Sequence, residues 1–229
     1  MFQIDRSIKK YAKALKNKRP RAAAVFFIAR NLKLKISLIL VISILFIGCG
    51  RKEFTEECIG ILPLGLESAE FDLINKVDTM LKSKYGCSTV ILNPHNLPES
   101  AWYKPRNRYK ANLLLEHLLV IKPDSITRIL ALTSKDISVK TVKHSDWGIM
   151  GLARTPGTVC VVSTFRLGHN EVLLNERLMK VCTHELGHTF GLKHCSRDMN
   201  CVMNNARGSI KTVDREVNDY CVACKKDME

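Results

Sequence analysis

Residues 183–194 of the chain read THELGHTFGLKH, which contains the pattern H-E-x-x-H-x-x-G-x-x-H. On a helix, His184 and His188 are four residues apart, so both imidazoles project from one face and can bind one metal ion. Gly191 tolerates the left-handed turn that ends a helix, and such a turn would bring His194 back as a third nitrogen ligand. Three protein ligands leave the fourth tetrahedral position of a zinc ion for water, which is typical of a catalytic site.

Glu185 directly follows the first of these histidines, and it is placed to accept a proton from that water. A bare H-E-x-x-H match also occurs by chance on ordinary buried helices. Here the glycine and the third histidine extend the match at fixed spacing, which favours a catalytic zinc site.

A second set of candidate metal ligands consists of the four cysteines after the third histidine, Cys195, Cys201, Cys221 and Cys224. Thiolates in two close pairs are typical of a closed, structural zinc site. Two disulfides are the alternative in an exported protein, although the position of Cys195 beside a histidine ligand favours zinc. Met203 lies two residues after Cys201, and on its own it would be interpreted as a core methionine.

The histidine motif, the four cysteines and Met203 together resemble the archaemetzincins, a branch of the metzincin zinc peptidases. The resemblance implies a metallopeptidase in which the three histidines bind a catalytic zinc and Glu185 assists attack of the zinc-bound water on a peptide bond. It implies a second, structural zinc bound by the four cysteines, and it assigns Met203 to the turn below the catalytic metal. One feature differs from the family pattern: five residues rather than four separate Cys195 from Cys201.

Positive charge is concentrated near the N-terminus. Residues 1–50 contain 11 of the 36 Lys and Arg but only one of the 22 Asp and Glu, which leaves 25 basic and 21 acidic residues in the rest of the chain. The remainder is therefore close to neutral, and nucleic acid is not expected as a partner. We expect a basic leader over residues 1–50 and a metallopeptidase domain over residues 51–229.

The leader ends in an apolar run over residues 36–47, followed by Gly48 and Cys49. This run is short for a membrane span and suits the apolar region of a signal peptide. Gly48-Cys49 resembles a bacterial lipoprotein cleavage site, so Cys49 is the candidate lipidation site. We expect an exported, membrane-anchored lipoprotein, with an uncleaved membrane anchor as the alternative and cytoplasmic residence less favoured.

Strands and helices alternate after residue 51, which predicts a β-α-β-α-β arrangement with a parallel sheet. The expected fold class is α/β, with an α+β zincin-like architecture: a mixed β-sheet with helices, an active-site helix, and a small C-terminal subdomain stabilised by zinc. The predicted strands cover residues 57–63, 88–92 and 128–132, and the predicted helices cover residues 68–85, 108–120 and 171–190.

Two further apolar segments, 147–153 and Val159–Ser163, flank a turn over residues 155–158 and predict a hairpin. In metzincins, a strand before the active-site helix forms a sheet edge above the cleft, where an extended substrate can pair with free backbone groups. An inner strand with glycines at a bulge is the alternative. The candidate substrate-binding residues are Gly148, Ile149, Met150, Gly151, Leu152 and Ala153.

The other cysteines of the domain lie in predicted elements. Cys58 and Cys87 begin two parallel strands, so a disulfide between them is one option in an oxidising compartment. Cys160 and Cys182 are expected to pack as small apolar groups.

The sequence thus predicts a monomeric peptidase with two zinc ions and a peptide or protein substrate. The rival interpretation is a non-catalytic binding or interaction module that is stabilised by zinc and anchored by lipid.

Overall fold

The structure is a computed structural model that describes residues 57–67 and 70–228. The chain divides into two units, residues 1–54 and 55–229, and the description below concerns the second. The basic leader, the apolar run, the lipidation candidate Cys49 and the predicted start of the first helix at Ser68 lie outside the described residues. Export and lipid anchoring therefore stay predictions. Within the described ranges, no helix has the length and apolar character that crossing a membrane requires.

A five-stranded sheet forms the centre of the described unit, and its strand order is β2-β1-β5-β9-β8. Neighbouring strands are parallel except for the antiparallel pair β8–β9. The inner strands are continuous apolar runs that are buried on both faces, as is typical of parallel sheets. This arrangement confirms the predicted parallel β-α-β-α-β order. The strands of the sheet are β1 (Cys58–Pro63), β2 (Ser88–Ile91), β5 (Arg128–Thr133), β8 (Gly151–Ala153) and β9 (Val159–Ser163).

Helices cover both faces of this sheet. Alternate strand residues point to opposite faces, so Ile61 and Leu130 pack with one group of helices and Leu62 and Ile129 with the other. The first face carries α1 (Phe71–Tyr85) and α3 (Glu171–Thr189), and the second carries α2 (Ala111–Ile121). Two shorter helices, α4 (Ile210–Arg215) and α5 (Val222–Asp227), complete the C-terminal part.

The second predicted helix begins three residues later than expected. The prediction started it at Arg108, whereas Arg108–Lys110 forms a strand and the helix begins at Ala111. The strand is held by its side chains: the guanidinium of Arg108 lies 3.1 Å from Asp136 and 3.2 Å from Asp146. It belongs to a second sheet, of order β3-β4-β6-β7. The strands of that sheet are β3 (Trp102–Tyr103), β4 (Arg108–Lys110), β6 (Ile137–Val139) and β7 (Trp147–Ile149).

The predicted strand over residues 147–153 is divided between the two sheets. Its first half, β7, pairs with β6, and its second half, β8, forms the predicted hairpin with β9. The chain changes sheet at the buried residue Met150, whose carbonyl oxygen accepts a hydrogen bond from the N–H of Ser163 at 2.8 Å. Among the described residues, both halves are terminal strands of their sheets. The segment therefore lies at sheet edges, as predicted, and not in an inner strand, and its role in substrate binding stays a prediction.

Within the described residues, the cysteines outside the C-terminal group are free thiols. Cys58 is in register with Ser88 and so lies near Cys87, but no disulfide joins the two. Cys160 and Cys182 are fully buried in the core between the sheet, α1 and α3, as expected.

Candidate metal centre and active-site cleft

Helix α3 positions the first two histidines of the motif. The side chain of Asn170 caps its first turn by accepting a hydrogen bond from the N–H of Leu173 at 3.1 Å. The helix ends at Thr189, and Gly191 follows with a φ of 97°, a conformation that glycine adopts without strain. This left-handed turn brings His194 back beside the helix, as the sequence predicts.

The three histidines converge on one point. The Nε2 atoms of His184 and His188 are 3.1 Å apart, and the ring of His194 lies 5.4 Å and 4.9 Å from the other two ring centres. The Nδ1 atoms of His184 and His188 hydrogen-bond at 2.7 Å to the backbone oxygens of Val202 and Leu192. Because carbonyl oxygens only accept, each Nδ1 carries the proton and each Nε2 presents a lone pair to its neighbour.

The protonation state of the histidines suits a cation. Burial, and then the proximity of His188, lowers the pKa of His184 to about 3. Burial also lowers the pKa of His188 and of His194. Neutral rings with converging lone pairs repel one another unless a cation lies between them, and imidazole nitrogens are ordinary zinc ligands. The donor set therefore fits zinc.

Glu185 is a buried acid without a partner. Its side chain is 6% exposed, and its Oε2 atom has no hydrogen-bond partner among the described residues. Burial raises its pKa to about 8, and a cation at the histidines would lower that value again. Gly151 of β8 makes room for it, because an added Cβ atom would lie 2.6 Å from Oε1. The close approach explains this glycine in the edge strand.

A cavity of about 580 Å³ connects the histidines with the edge strand. The histidines and Glu185 line it, together with five of the six predicted substrate-binding residues, Ile149, Met150, Gly151, Leu152 and Ala153. Gly148 does not line it. A Cβ atom at that position would overlap the guanidinium of Arg166, so this glycine serves the packing of the second sheet.

The four C-terminal cysteines form a separate cluster of free thiols. The sulfur of Cys195 is 3.8 Å from that of Cys221, and the sulfur of Cys201 is 3.7 Å from that of Cys224. A disulfide would need about 2.05 Å, whereas thiolates around a tetrahedral zinc, with bonds of about 2.3 Å, are ~3.8 Å apart. The disulfide alternative is therefore wrong, and the spacing fits zinc.

Hydrogen bonds to the sulfurs favour thiolates, although burial raises the pKa of Cys201 and of Cys224. Burial raises the pKa of Cys195, but the backbone N–H groups of Arg197 and Asp198 outweigh it and bring the pKa to about 7. The N–H of Cys221 donates to the sulfur of Cys201 at 3.3 Å. The guanidinium of Arg197 lies 3.4 Å from the sulfur of Cys224 and adds a positive charge.

Met203 lies against the histidine helix, fully buried. A Cβ atom added to Gly187, between the two helical histidines, would lie 2.5 Å from its Sδ atom. The same segment supplies the Val202 oxygen that orients His184. Next to it, the hydroxyl of Tyr220 donates to the backbone oxygen of Thr183 at 2.8 Å.

Sequence reasoning missed the supporting residues Val202, Leu192 and Tyr220. A single signal pointed towards this packing: Gly187 interrupts a helix at a cost of about 1 kcal/mol relative to alanine, and such a glycine often marks a close contact. The partners of that contact were not readable, because they lie on a loop and on a segment more than thirty residues away.

Comparison with known proteins agrees with this geometry. Residues 51–229 match the model of peptidase family M54. The chain is similar to the archaemetzincin of Methanopyrus kandleri, with 43% identity over 134 residues that cover 58% of this chain and 73% of the relative. It is also similar to that of Halobacterium salinarum, with 28% identity over 180 residues covering 74% and 98% of the two chains.

Two crystal structures of archaemetzincins share the fold. The structure from Methanopyrus kandleri gives a TM-score of 0.67 at 32% identity and covers 78% of this chain and 97% of that one. The structure from Archaeoglobus fulgidus gives 0.64 at 29% identity and covers 74% and 98%. The match of the family model over most of the chain, these folds and the three converging histidines lead to one conclusion: the chain belongs to peptidase family M54, the archaemetzincins, and is a zinc metallopeptidase.

Proposed function

We propose that this metallopeptidase cleaves peptide bonds with Glu185 as the proton carrier, beside a zinc ion that His184, His188 and His194 would hold. The observation that carries the proposal is the unpartnered Oε2 atom of Glu185 in a cavity shared with the three histidines. When bound, zinc would polarise the substrate carbonyl and lower the pKa of water to about 7.

Glu185 accounts for the proton transfers. Its carboxylate accepts a proton from the attacking water as the new carbon–oxygen bond forms. It then gives that proton to the amine as the carbon–nitrogen bond breaks, so no further acid is needed. Burial in the cavity keeps the carboxyl away from bulk water and from competing partners, which supports this role.

Strand β8 is the proposed guide for the substrate backbone. In its pairing with β9, the N–H of Arg154 and the carbonyl of Met150 point to β9, at 3.2 Å and 2.8 Å from their partners. Hydrogen-bonding direction alternates along a strand. The backbone groups of Gly151 and Ala153 therefore point outwards, where an extended peptide can pair with them.

The test of the mechanism is Glu185→Ala in the zinc-loaded full-length chain, with Glu176→Ala as control. Glu176 is an exposed acid on the same helix. Cleavage of a mixture of unstructured peptides, followed by mass spectrometry, should fall about 10²–10⁴-fold in the first variant and stay unchanged in the second. Zinc content should be equal in all three proteins. Parent-like cleavage by Glu185→Ala would refute the assignment, and zinc binding without cleavage in the parent would favour the non-catalytic binding module.

We also infer that Cys195, Cys201, Cys221 and Cys224 hold a second zinc with a structural role. The sulfur spacing near 3.8 Å supports it, as do the N–H groups directed at two of the sulfurs. Elemental analysis of the full-length chain should give two zinc ions per molecule. His188→Ala and Cys195→Ser should each lose one, and Cys87→Ser, outside the cluster, should lose none. A count of one zinc that survives Cys195→Ser would contradict the second site.

A further inference from the structure

Glu216 is a second buried acid in the catalytic cavity, and the mechanism above does not use it. It follows the end of α4, is 5% exposed, and lines the cavity together with Lys180, Val213 and His184. Its Oε1 atom has no hydrogen-bond partner among the described residues. A buried carboxylate oxygen without a donor is costly, so its position in a ligand cavity calls for a partner that arrives with the ligand.

Neighbouring cations leave Glu216 unpaired. No ion pair within residues 57–67 and 70–228 includes it. Lys180, the nearest cation on α3, donates instead to the backbone oxygens of Val213 and Asp214, at 3.0 Å and 3.3 Å. Arg215 is exposed. Burial raises the pKa of Glu216 to about 7, although Arg215 and Lys180 act in the opposite direction. A cation close to the carboxyl group would therefore stabilise its charged form.

The walls of the cavity suit a long side chain with a charged end. Apolar side chains, among them Trp147, Ile149 and Val181, line part of the space, and Lys180, Lys193 and Arg207 line another part. Glu216 and His184 line the same cavity, so a substrate side chain beside the histidines would enter the space that Glu216 lines. Lysine and arginine bury an aliphatic stem along apolar surface and keep the charge at its tip.

We propose that Glu216 determines specificity by binding the lysine or arginine side chain of a substrate residue beside the scissile bond. The inference rests on the peptidase function proposed above. A basic side chain fits better than asparagine or glutamine, because a charge-assisted hydrogen bond to a carboxylate is about twice as strong as a neutral one. A free α-amine has no stem to cross the apolar part of the cavity.

The first experiment measures cleavage preference. The zinc-loaded full-length enzyme is incubated with peptides produced by cleavage after acidic residues, so that lysine and arginine remain internal, and the cut bonds are identified by mass spectrometry. Lysine and arginine should be enriched about tenfold at one position beside the cut bond. Glu216→Gln, which keeps the shape of the side chain, should lose the enrichment and continue to cut.

Asp214→Asn is the matched control. It removes the same charge two residues away, from a carboxylate that faces Arg177 at 2.6 Å rather than the cavity. It should keep the preference for basic residues. If it loses the preference as fully as Glu216→Gln does, the effect comes from net charge and the proposed contact is wrong.

The second experiment measures binding and does not depend on turnover. Two peptidyl hydroxamates, which differ only in lysine versus norleucine next to the metal-binding group, are titrated calorimetrically into the parent and into Glu216→Gln. The lysine compound should bind the parent about tenfold more tightly, and the variant should bind both equally. The ratio in the parent needs no variant, so equal binding of the two compounds would overturn the proposal even if Glu216→Gln does not fold.

The outcomes separate the two proposals. Cleavage without a basic preference, or equal binding of both hydroxamates by the parent, overturns the role of Glu216 and leaves the peptidase mechanism standing. A lysine preference in binding that depends on Glu216, in a protein that cuts none of the peptides, supports the cation site and overturns the mechanism.

Discussion

Gly187 shows how one missing side chain allows close packing against the helix between the two histidines. It lies between His184 and His188, and the sulfur of Met203 occupies the space in which its Cβ atom would lie. Glycine at this position lowers the local stability of the helix, and the close packing of Met203 and Tyr220 against it offsets that loss. Met203 therefore packs directly against the backbone of the helix that carries His184 and His188.

Gly187→Ala should destabilise the protein although alanine is the better helix former. Overpacking against Met203 should cost about 1–3 kcal/mol, which at least equals the gain of about 1 kcal/mol in helix propensity. We expect a lower melting temperature and less zinc at the histidines. The double variant Gly187→Ala/Met203→Ala should bind more zinc than Gly187→Ala alone. A Gly187→Ala protein with parent-like melting and zinc content would contradict this account of the contact.

At the scale of the elements, the proposed substrate pairing with strand β8 would rest on few hydrogen bonds, because only the backbone groups of Gly151 and Ala153 point outwards. Ala153→Pro would remove an outward N–H without breaking a β8–β9 bond, and proline is tolerated at strand edges for this reason. We expect kcat/KM for peptides to fall about 2–10-fold, the equivalent of one ordinary hydrogen bond, with little change in melting temperature. Ala153→Val keeps the N–H and serves as the control. An unchanged kcat/KM in Ala153→Pro would argue against substrate pairing at this strand.

The elements differed in how well the sequence predicted them. The inner strands and α3 were predictable because their apolar patterns are long and because a side-chain cap and a glycine mark the ends of α3. Strand β4 was not, since it is three residues long and depends on ion pairs with Asp136 and Asp146, which lie 28 and 38 residues further along the chain. Likewise, the break at Met150 has no local signal, because each half of the segment has a suitable strand pattern.

The residues of the candidate site also differed in how well the sequence predicted them. The histidines, Glu185 and the cysteines could be predicted because fixed spacing on a helix or in a tight loop brings them together. Glu216 could not be predicted. It follows a helix of only six residues, and a single acid in a polar stretch carries no pattern that distinguishes it from a surface residue.

At the scale of the whole molecule, the proposed structural zinc would matter most to the C-terminal segment. Its own apolar cluster is small: the buried members outside the cysteines are Leu192, Val202, Met203 and Tyr220. Yet this cluster carries both the Val202 oxygen that orients His184 and the Met203 contact below the helix. The histidine site and the cysteine cluster are thus connected through residues 201–203.

Cys221→Ser should therefore lower the melting temperature and the affinity of the histidine site for zinc together. Loss of a structural metal typically removes several kcal/mol of folding free energy. Calorimetry combined with competition against a chelator would measure both quantities, and Cys87→Ser should change neither. If Cys221→Ser melts earlier but its histidine site keeps full affinity, the two sites are independent and the proposed coupling is wrong.

If a substrate pairs with β8 as proposed, only an extended form of a target segment can be cut. A segment held in a helix or an inner strand would then have to open locally first. The apparent KM rises in inverse proportion to the fraction of target molecules that are open. An opening cost of about 2.7 kcal/mol therefore reduces cleavage ~100-fold. Selectivity among target proteins would then depend on the free energy of local unfolding. Damaged chains, termini and unstructured linkers would be cut, and well-folded segments with the same sequence would be spared.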